Sequence, residues 1–288
     1  MRPAWIAAGA IALAGLATAA SAQSPASWTA PTAPFRIADN LYYVGSAGIS
    51  TFLITTPQGH ILIDGGMPGT GKQIEKSITA LGFKPKDVKL LLNTHAHFDH
   101  AGGLAELKAD LGAPLAASAG DKAALETGTY PGSEDIKAFD FAPVKVDRVL
   151  KDGDTVSVGG EVLTAHITPG HTAGCTTWTF PVKVEGKVLR AIAYCSTSVA
   201  ANRLVSKTKG PQYPGIVADY QKAFATLKTL KADIFLAPHG EQFDMDAKRA
   251  RLGKGTNPFV DPNELQVRTA ASEQAFRGDL AKQQEAAR

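Results

Sequence analysis

Between Asn93 and His100 the chain reads Asn-Thr-His-Ala-His-Phe-Asp-His, which packs His95, His97, His100 and the carboxylate of Asp99 into six consecutive positions. Neutral imidazole and carboxylate oxygen are the donors that suit zinc and its neighbours. On a tight loop, His95 and His97 can face one metal position while Asp99 and His100 reach a second. Two further histidines stand in Pro- and Gly-marked turns, His171 in Thr168-Pro169-Gly170-His171-Thr172 and His239 in Ala237-Pro238-His239-Gly240. The chemistry open to such a set is metal-assisted hydrolysis, because a bound cation can bring water's pKa from about 15.7 to about 7. His60 follows a turn glycine and His166 sits inside a strand-like run, and both are read as structural. No Gly-x-Ser-x-Gly elbow offers a serine nucleophile instead.

The elements that must carry these residues follow from hydrophobic period and turn chemistry. Ile49 to Thr55 and Ile61 to Asp64, separated by Pro57-Gln58-Gly59, read as a hairpin of buried strands. Ile74, Ile78 and Leu81 fall at helical spacing within Thr70 to Leu81, Gly82 follows as a stop, and Val88 to Leu92 is a buried strand, which makes a β-α-β unit. Helices are predicted over Gly103 to Leu111 and Asp121 to Glu126, with a short strand around Leu115. The stretch Gly128 to Pro143 has no period. Strands are predicted over Val146 to Leu150, Thr155 to Val158, Val162 to Thr168, Thr176 to Val182 and Val188 to Tyr194. A helix over Ile216 to Leu230, a strand over Ile234 to Ala237 and a polar helix after Pro262 complete the chain. Strands with helices, twice over and without a short repeat, predict an α/β (α+β) fold in which helices cover the outside of two sheets. Each polar cluster falls just after a strand, where a loop can carry chemistry on a rigid frame.

The run His95-Ala96-His97-Phe98-Asp99-His100 resembles the HxHxDH motif of the metallo-β-lactamase superfamily. Three other segments resemble that family in the same order: Ile61-Leu62-Ile63-Asp64-Gly65-Gly66, the His171 turn and the His239 turn. The resemblance implies a four-layer αβ/βα sandwich with two zinc ions per chain, the first held by His95, His97 and His171 and the second by Asp99, His100 and His239. It also implies that Asp64 orients a ligand from behind, and that Asp99 is catalytic, orienting a hydroxide shared by the metals. Many hydrolases of this family, thioesterases and lactonases among them, carry a bridging aspartate where this chain has Tyr194-Cys195-Ser196-Thr197-Ser198. Its absence, with Asp99 beside His100, resembles subclass B3 metallo-β-lactamases. The implied substrates are therefore penicillins, cephalosporins or carbapenems, with Ser196, Thr197 and Ser198 as candidates for binding the substrate carboxylate. Subclass B1 enzymes use a cysteine at the second zinc, and Cys195 is the corresponding alternative here. A lactonase, a thioesterase or a non-catalytic zinc-binding protein of the same fold are the rival readings.

Composition restricts the partners. The 288 residues carry 30 Lys and Arg against 27 Asp and Glu, with no basic stripe of the kind nucleic acid requires. Arg2 followed by the apolar run Ala4 to Ala17 and by Ala20-Ser21-Ala22 predicts a cleaved signal peptide over 1–22 and a periplasmic destination, with an uncleaved anchor as the alternative. Residues 23–34 read as a lead and 35–288 as one domain, expected to be a monomer without membrane contact once cleaved. Cys175 and Cys195 lie on the two arms of a predicted hairpin turning at Glu185-Gly186, so they either pair or remain two buried thiols.

Overall fold

The computed structural model describes residues 24–288, so the predicted signal peptide and its cleavage point after Ala22 lie outside the described residues. Seven strands form the first sheet in sequence order: β1 (Phe35–Ala38), β2 (Leu41–Tyr43), β3 (Phe52–Thr56), β4 (Gly59–Ile63), β5 (Val88–Leu92), β6 (Leu115–Ser118) and β7 (Arg148–Leu150). The pairings from β1 to β4 are antiparallel and those from β4 to β7 parallel. The second sheet has the order β12-β11-β10-β9-β8, built from β8 (Thr155–Val158), β9 (Glu161–Ile167), β10 (Thr176–Val184), β11 (Lys187–Ala193) and β12 (Ile234–Leu236). The helices are α1 (Gly71–Ala80), α2 (Phe98–Ala101), α3 (Leu104–Leu111), α4 (Ala119–Thr127), α5 (Ile216–Thr229), α6 (Met245–Arg249) and α7 (Glu264–Ala286).

Strand periodicity decides how the layers stack. Successive side chains of a strand point to opposite faces. In β4 Ile61 and Ile63 join Phe52, Ile54, Trp178 and Phe180 in the core between the sheets, while Leu62 packs outward with Leu53 against Ile74, Ile78 and Leu107 of α1 and α3. All five β4 residues are buried, which is why Ile61 to Ile63 read as a continuous apolar run rather than an alternating one. On the far side, α5 and α7 contribute Leu227 and Leu265 to the inner core and pack together through Tyr220, Phe224 and Phe276. Two sheets with helices outside match the predicted class.

The sequence reading placed most elements within a few residues and missed β1, β2, α2 and α6. These are three to five residues long, too short to complete a period that stands out in sequence. No helix among the described residues is long and apolar enough to cross a membrane.

Candidate metal centre

Five strands end at one edge of the sandwich, and every predicted ligand follows one of them. Asn93 to His97 leave β5 and run into α2, so His95 and His97 come from a loop while Asp99 and His100 stand in the first turn of a short helix. His171 follows β9 and His239 follows β12. Asp64 follows β4, and the Cys195–Ser198 segment follows β11. A backbone bridge between Ile49 and His239, with the Ser50 amide donating to the Pro238 carbonyl (2.8 Å), ties the β12 loop to the first sheet.

The structure brings all six predicted ligands together. His95, His97 and His171 each offer a ring nitrogen within 4.8 Å of the others, and so do His95 and His100 with a carboxylate oxygen of Asp99. His97 Nδ1 lies 3.1 Å from His171 Nε2. In the second group His100 Nε2 lies 3.3 Å from His239 Nε2, and Asp99 Oδ2 lies 3.2 Å from His100 Nε2 and 3.5 Å from His239 Nε2. Donors about 2.0 Å from a tetrahedral zinc are separated by roughly 3.3 Å, so these spacings fit ligands converging on a cation. His95 Nε2 is buried without a hydrogen-bond partner, an arrangement that a bound metal would satisfy.

Hydrogen bonds on the far side of two rings set their tautomers. Thr94 Oγ1 donates to Asp64 Oδ2 (2.7 Å), so toward His95 Nδ1, 3.0 Å away, it acts as acceptor. The His95 proton is thereby fixed on Nδ1 and the Nε2 lone pair faces the centre. His171 Nδ1 donates to the carbonyl of Ser198 (2.7 Å), with the same result for its Nε2. Asp64 also accepts from Asn93 Nδ2 (2.9 Å) and the Thr94 amide (2.7 Å), and these bonds hold it at a φ of 69° that a non-glycine residue rarely adopts. Its Oδ2 stands 3.8 Å from His100 Nδ1, so its orienting action runs through Thr94 to His95.

Burial and mutual repulsion keep most of these imidazoles neutral. Burial, then the neighbouring rings, holds His95 and His97 well below the ordinary histidine range. Burial brings His239 and His171 to about 4, against a favourable contact with the Ser198 carbonyl in the case of His171. His100 behaves differently: burial disfavours its charge, but Asp99 and Asp64 together raise it above the ordinary value. Asp99 resists burial because His100 and the other rings hold its carboxyl well below the carboxylate range, so it is ionised.

A cavity of about 420 Å³ opens over His97, Asp99, His171 and His239. One wall is aromatic: Trp28 lies 5.1 Å from the His239 ring and 6.3 Å from Phe98, which stacks on Phe139 at 5.2 Å. The other carries Tyr130, Ser196, Ser198 and Asn202, and among the described residues no lysine or arginine lines the space. Thr197 does not line it, because its hydroxyl bonds the buried Tyr194 hydroxyl. The aperiodic stretch Gly128 to Pro143 does form a wall, through Tyr130, Ser133 and Phe139, whereas the Gly45–Gly48 turn lies behind the lead, the Gly48 amide donating to Ser27. A larger open groove of about 960 Å³ lies over the second sheet and holds no candidate ligand. His166 lines that groove, bonded to Thr179 (2.8 Å), and His60 packs edge-on against Phe83, so both are structural. A Ser-x-x-Lys spacing, which could carry a serine nucleophile, occurs at Ser206 and Lys209, but it is a surface turn in which the serine hydroxyl accepts from the following amides.

Comparison with known proteins agrees with this geometry. The model of the metallo-β-lactamase superfamily matches residues 45–184. BJP-1, a subclass B3 metallo-β-lactamase of Bradyrhizobium japonicum, is 47% identical, with a TM-score of 0.87 over 91% of this chain and 98% of that one. The chain belongs to the metallo-β-lactamase superfamily. FEZ-1 from Legionella gormanii (39% identity, TM-score 0.84, 89% and 98% covered) and GOB-18 from Elizabethkingia meningoseptica (35%, 0.82, 90% and 96%) are similar in fold throughout. Among curated relatives, a hydroxyacylglutathione hydrolase of Acidiphilium cryptum is 27% identical over 183 residues, 64% of this chain, and the chain spans 60% of that relative's length.

Within this metallo-β-lactamase fold the two cysteines form a disulfide, which resolves the open pairing and removes Cys195 as a metal ligand. Sequence reasoning missed Trp28, which stands in the stretch taken for a lead, and the supports of the His171 loop: Asn202 Nδ2 and the Tyr130 hydroxyl both donate to the His171 carbonyl (2.8 and 3.1 Å). It also missed Asp121, seen only as the start of a helix. Its carboxylate is buried and accepts from the Ala96 amide, the Thr172 hydroxyl and the Gly174 amide. No motif marks these residues, since each acts through a contact remote in sequence.

Proposed function

We propose that this protein is a dinuclear zinc β-lactamase. The observation that carries the reading is the pair of adjoining donor groups at the floor of the cavity, His95, His97 and His171 beside Asp99, His100 and His239. An all-nitrogen group next to a mixed nitrogen and oxygen group suits zinc at both positions. When bound, the metals supply Lewis acidity for the lactam carbonyl and lower the pKa of the attacking water. The residues of the chain do the rest. His95 and His171 present unprotonated Nε2 atoms because Thr94 and Ser198 fix their tautomers. Asp99 stays ionised beside His100 and can orient the attacking water. Trp28, Phe98 and Phe139 give the substrate's ring system an apolar wall. Ser196 and Ser198 offer hydroxyls to its carboxylate, with no lysine or arginine of the described residues beside them.

The hydroxyacylglutathione hydrolase relative favours a thioesterase as second reading. Against it, the segment 194–198 carries no carboxylate that could bridge two metals. With export of the chain after loss of residues 1–22, the proposed site of action is the periplasm, as a monomer acting on small molecules. The test is hydrolysis of a penicillin, a cephalosporin and a carbapenem by the zinc-loaded chain, with and without a chelator. Chelator-sensitive opening of any of them is expected. Folded, zinc-loaded protein that opens none but cleaves a glutathione thioester would establish the second reading instead.

A further inference from the structure

Two buried carboxylates bracket the strand of backbone that carries His95. On one side Asp64 accepts from the Thr94 amide, and on the other Asp121 Oδ2 accepts from the Ala96 amide (2.9 Å). Asp64 keeps its bonds within the first sheet, but Asp121 reaches across. Its Oδ2 also accepts from Thr172 Oγ1 (2.8 Å) and its Oδ1 from the Gly174 amide (2.8 Å). Both partners belong to the loop of His171, so one side chain spans the two segments that supply the first three ligands. The fit leaves no slack: a Cβ on Gly174 would stand 2.3 Å from the Asp121 nitrogen, and one on Gly120 would stand 2.5 Å from the Ala173 carbonyl oxygen.

We propose that Asp121 is a positioning residue for the three-histidine half of the metal centre, clamping the His95–His97 backbone to the His171 loop and placing a negative charge behind the metal. The charge distinguishes this role from a purely structural hydrogen-bond hub. The groups around Asp121 are its three donors, and no lysine, arginine or histidine of the described residues pairs with it. A buried carboxylate without a cation is costly, and a divalent ion held by the adjacent rings is the positive charge that offsets it. Metal binding and an anionic Asp121 therefore support each other. This inference rests on the metal reading of the site and is independent of which substrate is hydrolysed.

The experiment compares the wild-type chain with Asp121→Asn and Thr172→Val, measuring zinc affinity by competition with a chromophoric chelator and melting temperature with and without zinc. Asp121→Asn removes the charge and turns an NH2 toward a donor, and partners of metal ligands of this kind are typically worth about 10–100-fold in metal affinity. The expected result is a loss of that order at the tighter site, with a smaller rise in melting temperature on adding zinc than the wild type shows. Thr172→Val keeps the charge and two of the three bonds, so a smaller loss is expected. A folded Asp121→Asn with wild-type zinc affinity and a full zinc-induced rise, whatever its metal-free stability, overturns the proposal. Should that variant not fold, unchanged zinc affinity in Thr172→Val overturns it alone. A wild-type chain that takes up no zinc overturns the metal reading and this inference together.

Discussion

The carbonyl of Ser198 lies 2.7 Å from Nδ1 of His171 and sets which nitrogen of that ring can bind a metal. The same carbonyl accepts from the Tyr220 hydroxyl (2.7 Å), so Ser198 is held from α5 as well as from its own loop. Three residues earlier, Cys195 is bonded to Cys175, four residues beyond His171. The disulfide thus joins the loop of the ligand to the loop that orients it. Closing a separation of 20 residues is worth about 3 kcal/mol of chain entropy. Replacing both cysteines by serine is expected to lower the melting temperature by roughly 6–12 °C. It should also weaken zinc binding; calorimetry and zinc titration check the two effects separately.

His100 belongs to the second donor group, and its ring meets the first group through His95, 4.3 Å away between centroids. His100→Ala is expected to reduce bound zinc from two equivalents to one, read by elemental analysis after dialysis. With the second position lost, lactam turnover should fall by on the order of 100-fold or more. Unchanged zinc content would show that the ring is not a ligand.

Trp28 touches the centre only through its ring, 5.1 Å from that of His239, and supplies wall rather than ligand. Trp28→Ala should leave zinc content at the wild-type value. Loss of an apolar contact worth about 1 kcal/mol should raise KM several-fold with a smaller change in kcat. Steady-state kinetics on a single cephalosporin reads both constants.

Acid should destabilise the metal-free protein. His95, His97, His171 and His239 all titrate below the unfolded value of 6.5, with His171 and His239 near 4. Between those limits the unfolded chain binds more protons than the folded one, so stability falls as pH drops from about 6.5 toward 4. The depressed Asp99 acts in the same sense at lower pH. Asp64 and Asp121, pushed up to about 6 by burial, act in the opposite sense below 6, whereas the raised His100 acts in that sense only above 6.5. Below 6.5 the four histidines outnumber the two carboxylates, so chelator-treated protein is expected to melt at a lower temperature at pH 5 than at pH 7. A rise over that interval would show the buried carboxylates to dominate.

The metal loop was legible because its donors are crowded: His95, His97, Asp99 and His100 follow one strand, and their types announce their chemistry without a fold. His171 and His239 could be assigned because short Pro- and Gly-containing turns around them resemble those of a known family. Strand β4 was legible because burial on both faces leaves Ile61 to Ile63 as a continuous apolar run. What tertiary structure decided was every relation between segments far apart in the chain. Thr197 and Ser198 are neighbours of similar polarity, yet one hydroxyl is spent on Tyr194 while the other residue lines the cavity. Trp28 stands in a stretch without pattern and becomes a wall, and Asp121 looks like any helix-start aspartate until the His171 loop closes over it. A residue's type and its near neighbours determine which donors it can offer, and only the packing of the two sheets determines which distant amide, ring or ion receives them.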